Sequence, residues 1–179
     1  ERLVARSLRA AVDLEELGPI ALNVDCDILN ADGGTRCASI TAANLALRLG
    51  VRRLISAGIC LPQNMRPTEE QRRSGWSAPV LSVDEKKAHE MRVMPHDVAA
   101  ISVGLIDGKS YLDLDYNLDS NADVDMNVVK VSDGSFVEVQ GTGEEATYQR
   151  EELDALLDMA DIGFSSLFEM QKSILDGQE

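Results

Sequence analysis

The spacing of apolar and polar residues changes several times along the chain, and each change marks an expected element. Residues 1–17 place apolar side chains three or four positions apart, which predicts a helix that a Gly-Pro pair ends. Residues 20–29 alternate between two faces and predict a strand. A second helix is predicted from about Thr35 to about Ser56, and the small residues at its start allow close packing on a sheet.

The middle of the chain breaks this pattern. The run 61–82 is strongly polar and holds three of the five prolines and the only tryptophan. A loop of this length is uncommon inside a compact domain. We therefore interpret residues 57–95 as an insertion or lid, with a short helix at 84–91.

The remaining residues predict two hairpins and a long helix. The expected strands are 98–107, 110–116, 123–132 and 135–140, and an Asp-Gly turn signal joins each pair. Residues 150–175 have an amphipathic helical pattern, with Thr147 as a candidate cap near the start. This order predicts an α+β fold with adjacent strands and helices on one side. We assign a single domain, divided into residues 1–56, 57–95 and 96–179.

Composition limits the partners. A net charge of −14 argues against a protein that holds nucleic acid by a general positive field, although a local basic pocket remains compatible with it. No run of about 18 apolar residues is present, so we expect no membrane partner. We also expect no DNA partner. Three cysteines without CxxC spacing predict free, mostly buried thiols and a reducing compartment, the cytoplasm.

The stretch ADGGTR lies between the first predicted strand and the second predicted helix. Unpaired N–H groups at a helix N-terminus attract anions, and glycines let the backbone approach a ligand closely. Thr35 adds a hydroxyl, and Arg36 adds a planar guanidinium suited to phosphate. Residues Gly34, Thr35 and Arg36 are therefore a candidate phosphate site, with an ordinary turn capped by threonine as the equal alternative.

A second cluster is acidic. Five carboxylates fall within thirteen residues, at Asp113, Asp115, Asp119, Asp123 and Asp125. In an extended run Asp123, Asp125 and Asn127 share one face, and Asp119 can fold toward it from the connecting turn. Convergent carboxylates together with phosphate oxygens suit Mg²⁺. The alternative is a solvated acidic hairpin on an acidic protein.

A basic face is predicted on the first helix, where Arg2, Arg6 and Arg9 follow the helical repeat. In so acidic a chain these arginines are a candidate patch for following a phosphate backbone. The alternative is that they form salt bridges with the acidic hairpin.

Several of these motifs together resemble the bacterial ribonuclease PH family of phosphate-dependent tRNA 3′-exoribonucleases. The resemblance is carried by VDCDILNADGGTRCASITAA, LDLDYNLDSNADVDMNVV and FVEVQGT, in this order, and covers nearly everything outside residues 57–95. It implies the C-terminal portion of an α+β fold of the ribosomal protein S5 domain 2 type. The first family strands and an upstream phosphate-binding arginine have no counterpart in this chain.

The resemblance also implies roles for individual residues. Gly34, Thr35 and Arg36 would bind the attacking inorganic phosphate. Asp119 and Asp125 would be catalytic and hold Mg²⁺ or Mn²⁺, and Arg2 would guide the RNA 3′ end. The implied assembly is a hexameric ring, a trimer of dimers, that trims tRNA 3′ ends and releases nucleoside diphosphates, with rRNA processing as a related role. The alternatives are a non-catalytic structural or RNA-binding ring subunit, as an inactive truncated form, and a metal-dependent hydrolase.

Overall fold

A computed structural model describes residues 2–144 and 146–177 as an α+β fold. The helices are α1 (Arg2–Ala11), α2 (Leu14–Leu17), α3 (Thr35–Ser56), α4 (Glu69–Arg73), α5 (Val83–Val93), α6 (Tyr116–Asp119) and α7 (Arg150–Asp176). The strands are β1 (Val98–Ile106), β2 (Lys109–Leu112), β3 (Val124–Val131) and β4 (Phe136–Gly143). The predicted fold class is confirmed.

The four strands form one antiparallel sheet in the order β2-β1-β3-β4. Both predicted hairpins are present. Asp107 and Gly108 both have positive φ, 49° and 72°, as expected of a tight hairpin turn whose twist matches the strands. The central pairing of β1 with β3 runs from Val98 opposite Val131 to Leu105 opposite Val124. This register fixes which side chains of β3 face each side of the sheet.

Helices cover both faces of the sheet, so the expectation of helices on one side is wrong. The β1 residues Ala99, Ile101 and Val103 pack with α7 in one apolar cluster. Their neighbours Val98 and Ala100 pack with α1, α3 and α5 in the other. The reason lies in the continuous apolar run of β1, which is buried on both faces rather than alternating.

Residues 20–29 do not form the predicted strand. A strand requires ladder hydrogen bonds to a neighbour. The sheet of the described residues has four strands, and this segment joins none of them. Ile20 and Leu22 still pack against the cluster beneath α3, so the alternating pattern marked partly buried positions rather than pairing.

The helix predicted over 1–17 is divided in two. The Asp13 carboxylate accepts hydrogen bonds from the Glu15 and Glu16 backbone N–H groups, at 2.9 and 3.0 Å, and so starts α2. Such a side chain competes with continuation of the preceding helix. The predicted helix from Thr35 to Ser56 is confirmed as α3.

The segment 57–95 contains more regular structure than expected. It holds a 3₁₀ turn at Gln63–Met65 and the helices α4 and α5, the second of which confirms and extends the helix predicted at 84–91. Buried side chains anchor it to the core beneath α3; these are Cys60, Leu61, Leu81, Val93 and Met94. Whether this segment is an insertion relative to the family stays a prediction.

Two boundaries near the site also differ from expectation. The return strand β2 ends at Leu112, because the chain turns at Asp113, whose φ is +54°, and then forms α6. The cap of α7 is Gln149 rather than Thr147, since the Gln149 N–H donates to the Glu152 carboxylate at 2.7 Å.

All three cysteines are free, as predicted. Among the described residues, every helix is too short or too polar to cross a bilayer.

Candidate phosphoryl-transfer site

The stretch singled out in the sequence forms the N-terminus of α3. Gly34 is the residue before the first turn, with φ +67°, and Thr35 and Arg36 begin the helix. No side chain caps this end, so backbone N–H groups of the first turn have no side-chain acceptor. Since α3 is 22 residues long, its N-terminus carries a fully developed partial positive charge. These features are those of an anion site.

Gly33 is in close contact with the chain after β2, and Gly34 is close to Ser102 on β1. A Cβ on Gly33 would overlap the Leu114 carbonyl oxygen, and one on Gly34 would lie 3.2 Å from the Ser102 hydroxyl. That hydroxyl accepts a hydrogen bond from the Leu114 N–H at 3.2 Å. Packing therefore favours glycine at position 33, and the positive φ favours it at position 34.

Asp125 lies beside this loop. Val129 and Val131, on the same face of β3, belong to the cluster beneath α3. Asp125 and Asn127 therefore share this face, as predicted, and the face is the one toward α3. The Arg36 Nη2 atom is 3.9 Å from Asp125 Oδ2, and the side chains are 55% and 24% exposed. The pKa of Asp125 is raised, chiefly because burial removes water from the carboxylate and secondly because Asp119 is nearby; Arg36 opposes both.

Asp119 ends the short helix α6. The Asp115 carboxylate caps this helix by accepting the Leu118 N–H at 2.8 Å. The charge of Asp119 raises the pKa of Asp125, so the two carboxylates lie within electrostatic range of each other. The Asp123 carboxylate accepts the Asp107 N–H at 2.9 Å and so braces the first hairpin.

Asp119 and Asp125 supply only two of the oxygen ligands that a cation such as Mg²⁺ needs. In the described ranges, no three His, Cys, Asp or Glu side chains are grouped closely enough to enclose a metal. Asp119 and Asp125 nevertheless offer hard carboxylate oxygens within electrostatic range of each other. Mg²⁺ is commonly held by one or two carboxylates together with substrate phosphates and water. The pair fits a metal that is shared with a phosphate substrate.

The three arginines of the predicted basic face have different surroundings. Arg6 Nη2 is 3.1 Å from Glu138 Oε1, so this arginine is paired, although with β4 and not with the acidic hairpin. Arg9 lines a cavity of about 780 Å³ together with Thr35 and Arg36. Arg2 is exposed at the start of α1 and does not line this cavity. Arg9 is therefore the arginine of α1 that shares a cavity with Thr35 and Arg36.

Cys37 is the residue after the candidate phosphate arginine, but it does not serve as a nucleophile. Its Sγ lies 3.0 Å from Asn127 Oδ1, the acceptor of its S–H. Burial raises the pKa of the thiol to about 12. A protonated thiol links α3 to β3, two residues from Asp125.

Sequence reasoning missed two structural contributors, Asp32 and Ser102. The Asp32 carboxylate accepts the Tyr116 N–H at 2.6 Å, and Ser102 O accepts the Asp113 N–H at 2.8 Å. Asp32 precedes the two glycines directly, which is a signal that could have been used. Ser102 had no signal, since it is a polar residue within an apolar strand and its partners are remote in sequence.

The fold and the site define an α+β protein with a candidate phosphoryl-transfer centre. Residues 1–50 match domain 1 of the 3′ exoribonuclease family, and residues 96–163 match domain 2 of the same family. The chain belongs to this family, in its ribonuclease PH branch. The predicted family is thus confirmed.

Curated relatives named ribonuclease PH match almost the whole chain. The protein from Corynebacterium diphtheriae is 46% identical over 98% of this chain and 60% of its own length. The protein from Synechococcus sp. is 42% identical over 96% of this chain and 58% of its own length. The chain therefore spans less than two thirds of these relatives. A crystal structure of rice (Oryza sativa) Rrp46 is similar with a TM-score of 0.42 and 12% identity, covering 50% of this chain and 42% of that one.

Proposed function

We propose that the protein to which this chain belongs is a phosphorolytic 3′→5′ exoribonuclease that trims the 3′ ends of tRNA. The observation that carries the proposal is the approach of Arg36, at the N-terminus of α3, to within 3.9 Å of Asp125 on β3. A site for a free phosphate and a site for a metal-bound phosphodiester would thus be adjacent. Family membership supports the same reaction class.

The attacking phosphate would be held by Gly34, Thr35 and Arg36. Backbone N–H groups at the helix start and the Thr35 hydroxyl donate to its oxygens. The Arg36 guanidinium is more than half exposed, so it is accessible to a ligand. Its planar fork can donate two parallel hydrogen bonds to one phosphate. Binding at this point orients one phosphate oxygen toward the acidic side of the site.

Asp119 and Asp125 would hold Mg²⁺ or Mn²⁺. Bound there, the cation supplies charge neutralisation at the scissile phosphate and at the leaving oxygen. The two carboxylates fix its place next to the phosphate loop. Arg36, whose Nη2 atom is 3.9 Å from Asp125 Oδ2, would offset part of the repulsion between the acidic pair and the anion.

The reaction requires no nucleophilic side chain. A phosphate oxygen forms a bond to the phosphorus of the last phosphodiester, and the bond from that phosphorus to the 3′ oxygen of the preceding nucleotide breaks. The leaving oxygen takes a proton that the attacking phosphate brought, and the last nucleotide departs as a nucleoside 5′-diphosphate. The protein contributes positioning and electrostatic stabilisation, as in other phosphoryl transfers. The fully protonated Cys37 thiol is consistent with this scheme.

The RNA would approach along α1. Arg9 lines the cavity with Thr35 and Arg36, and Arg2 is exposed at the start of the same helix. These local cations would guide the 3′ end in a chain whose net charge of −14 repels nucleic acid elsewhere. We include in the proposal a hexameric ring of three dimers and a cytoplasmic location, both from the family resemblance.

The direct test is product analysis on a tRNA that carries a 3′ extension. We expect shortening of the RNA and release of nucleoside diphosphates only when inorganic phosphate is added. Monophosphates released without added phosphate would indicate a hydrolase and contradict the proposal. Failure to shorten the RNA, with phosphate and Mg²⁺ present, would favour a non-catalytic subunit and contradict it equally.

A further inference from the structure

Asp32 connects the two halves of the candidate site. One carboxylate oxygen, Oδ1, accepts the N–H of Gly33 at 3.1 Å and the N–H of Tyr116 at 2.6 Å. Gly33 belongs to the loop that precedes the phosphate residues, and Tyr116 begins α6. The bond to Tyr116 joins residues that are 84 positions apart in the chain.

The position of Asp119 depends on α6, and α6 needs contacts with other parts of the chain to be stable. It has only four residues, from Tyr116 to Asp119, which is too few for an independently stable helix. Asp115 closes it internally, since its carboxylate accepts the Leu118 N–H at 2.8 Å. Among the hydrogen bonds of the described residues, the Asp32–Tyr116 bond is the one that ties α6 directly to the phosphate loop.

A packing contact reinforces this connection. The Leu114 carbonyl rests against Gly33, where a Cβ would overlap it. The same residue donates its N–H to Ser102 Oγ at 3.2 Å, beside Gly34. The phosphate loop, residues 32–36, and the segment 114–119 are therefore joined by the Asp32–Tyr116 hydrogen bond and by the contact of Gly33 with the Leu114 carbonyl.

We propose that Asp32 is a positioning residue that couples phosphate binding at Gly34–Arg36 to divalent-cation binding at Asp119 and Asp125. The inference rests on the proposed function, because it takes both ligands from it. A phosphate that orders the loop would place α6, and with it Asp119, for the cation. By linkage the cation would raise the affinity for phosphate by the same factor.

The test measures this coupling by binding and does not depend on turnover. Mn²⁺ binding to the purified protein is followed by electron paramagnetic resonance, without and with saturating inorganic phosphate. The ratio of the two dissociation constants is the coupling factor. We expect Asp32→Ala to lower this factor by about tenfold, within the usual range for coupled sites. Asp32→Asn, which keeps an acceptor oxygen, should retain most of it.

Two matched pairs separate positioning from general damage. Asp27→Ala removes an exposed carboxylate outside the Asp32–Tyr116 connection, and should leave the factor unchanged. Tyr116→Pro removes the N–H donor but suits the first residue of a helix, and the extended Asp115 before it, with ψ 173°, accepts a following proline. Tyr116→Pro should match Asp32→Ala, whereas Tyr116→Ala, which loses the same ring and keeps the N–H, should match wild type.

The outcomes are distinguishable. A wild-type factor that persists in both Asp32→Ala and Tyr116→Pro would overturn the inference and leave the proposed function intact. A wild-type factor of one would also overturn it. A wild-type protein that binds neither Mn²⁺ nor phosphate would contradict the proposed function, and the inference with it.

Discussion

Arg36 approaches the Asp125 carboxylate in the protein alone, and it would bind phosphate in the proposed reaction. A charge-assisted hydrogen bond contributes about 1.5–3 kcal/mol, so its loss corresponds to roughly 10- to 100-fold in affinity. We expect Arg36→Ala to raise the KM for phosphate by that order while RNA binding stays nearly unchanged. Arg53→Ala, at the exposed far end of α3, should change neither. An equal loss of RNA binding in Arg36→Ala would refute the assignment.

Asp125 gives a second prediction at this scale. Asp125→Asn keeps the shape of the side chain but removes the charge that a divalent cation needs. We expect a large loss of kcat and a shift of the Mg²⁺ requirement to higher concentration, measured by titrating Mg²⁺ at saturating phosphate. Asp123→Asn is the matched control, because Asp123 braces the hairpin turn instead of the site. Wild-type activity of Asp125→Asn across the titration would exclude the metal role.

Gly33 is constrained by contact with the Leu114 carbonyl, whereas Gly50 within α3 has open space around it. Adding a methyl group to a closely packed position typically costs about 1–3 kcal/mol. The same change in an open helical position stabilises by up to about 1 kcal/mol. We therefore expect Gly33→Ala to lower the free energy of unfolding and Gly50→Ala to raise it slightly, measured by urea denaturation. A stable Gly33→Ala with an unaltered urea midpoint would show that the two loops are not closely packed.

At the scale of elements, Arg48 on α3 ties the segment that precedes β1 to the core. It is 4% exposed, and its guanidinium bonds to Glu90 at 3.1 Å and to Asp97 at 2.7 Å. Removing one partner of a buried ionic group costs about 3–5 kcal/mol. Arg48→Ala should lose stability by this amount, as measured by chemical denaturation. Arg73→Ala breaks an exposed pair with Glu69 on α4 and should change stability by less than about 0.5 kcal/mol; equal effects would contradict the role of burial.

The elements also show what the sequence could predict. The helix α3 and both hairpins were predictable, because their signals are local: a helical repeat in one case and an Asp-Gly turn in the other. The pairing of residues 20–29 was not, since a ladder depends on a neighbouring strand and not on alternation alone. The coverage of both sheet faces could have been read from the unbroken apolar run of β1.

The candidate site likewise has features that the sequence could predict and features that it could not. Gly34, Thr35 and Arg36 are consecutive, so their common location was predictable from the motif. The approach of Arg36 to Asp125 spans almost ninety positions and depends on the register of β1 with β3. The hydrogen bond from the Tyr116 N–H to Asp32 could not be predicted from the sequence. Its donor is a backbone group, which every residue except proline has.

At the scale of the whole molecule, His89 makes stability depend on pH. It is fully buried, with Cys60 Sγ at 3.6 Å from Nε2 and Glu16, Arg92 and Arg66 around it. Burial, followed by Arg92, lowers the pKa of His89 below its usual value, while Glu16 opposes this shift. The unfolded chain therefore binds a proton near pH 6.5 that the folded chain does not, and stability falls as pH decreases below that value.

The measurement is the melting temperature between pH 7.5 and 5. Wild type should lose stability more steeply than His89→Gln, because the variant lacks the group that titrates differently in the two states. The remaining titratable groups provide the same background to both proteins. Parallel curves would contradict a neutral, buried His89.

The central claim for the whole molecule is that inorganic phosphate attacks the RNA 3′ end. The most direct measurement supplies ³²P-labelled inorganic phosphate with Mg²⁺ and a tRNA that carries a 3′ extension, and locates the label in the released nucleotide. Attack by phosphate predicts label in the β-phosphate of a nucleoside diphosphate, and in the Arg36→Ala protein much less of it. Unlabelled nucleoside monophosphates would instead mean that water attacks, and would contradict the role given to Gly34, Thr35 and Arg36.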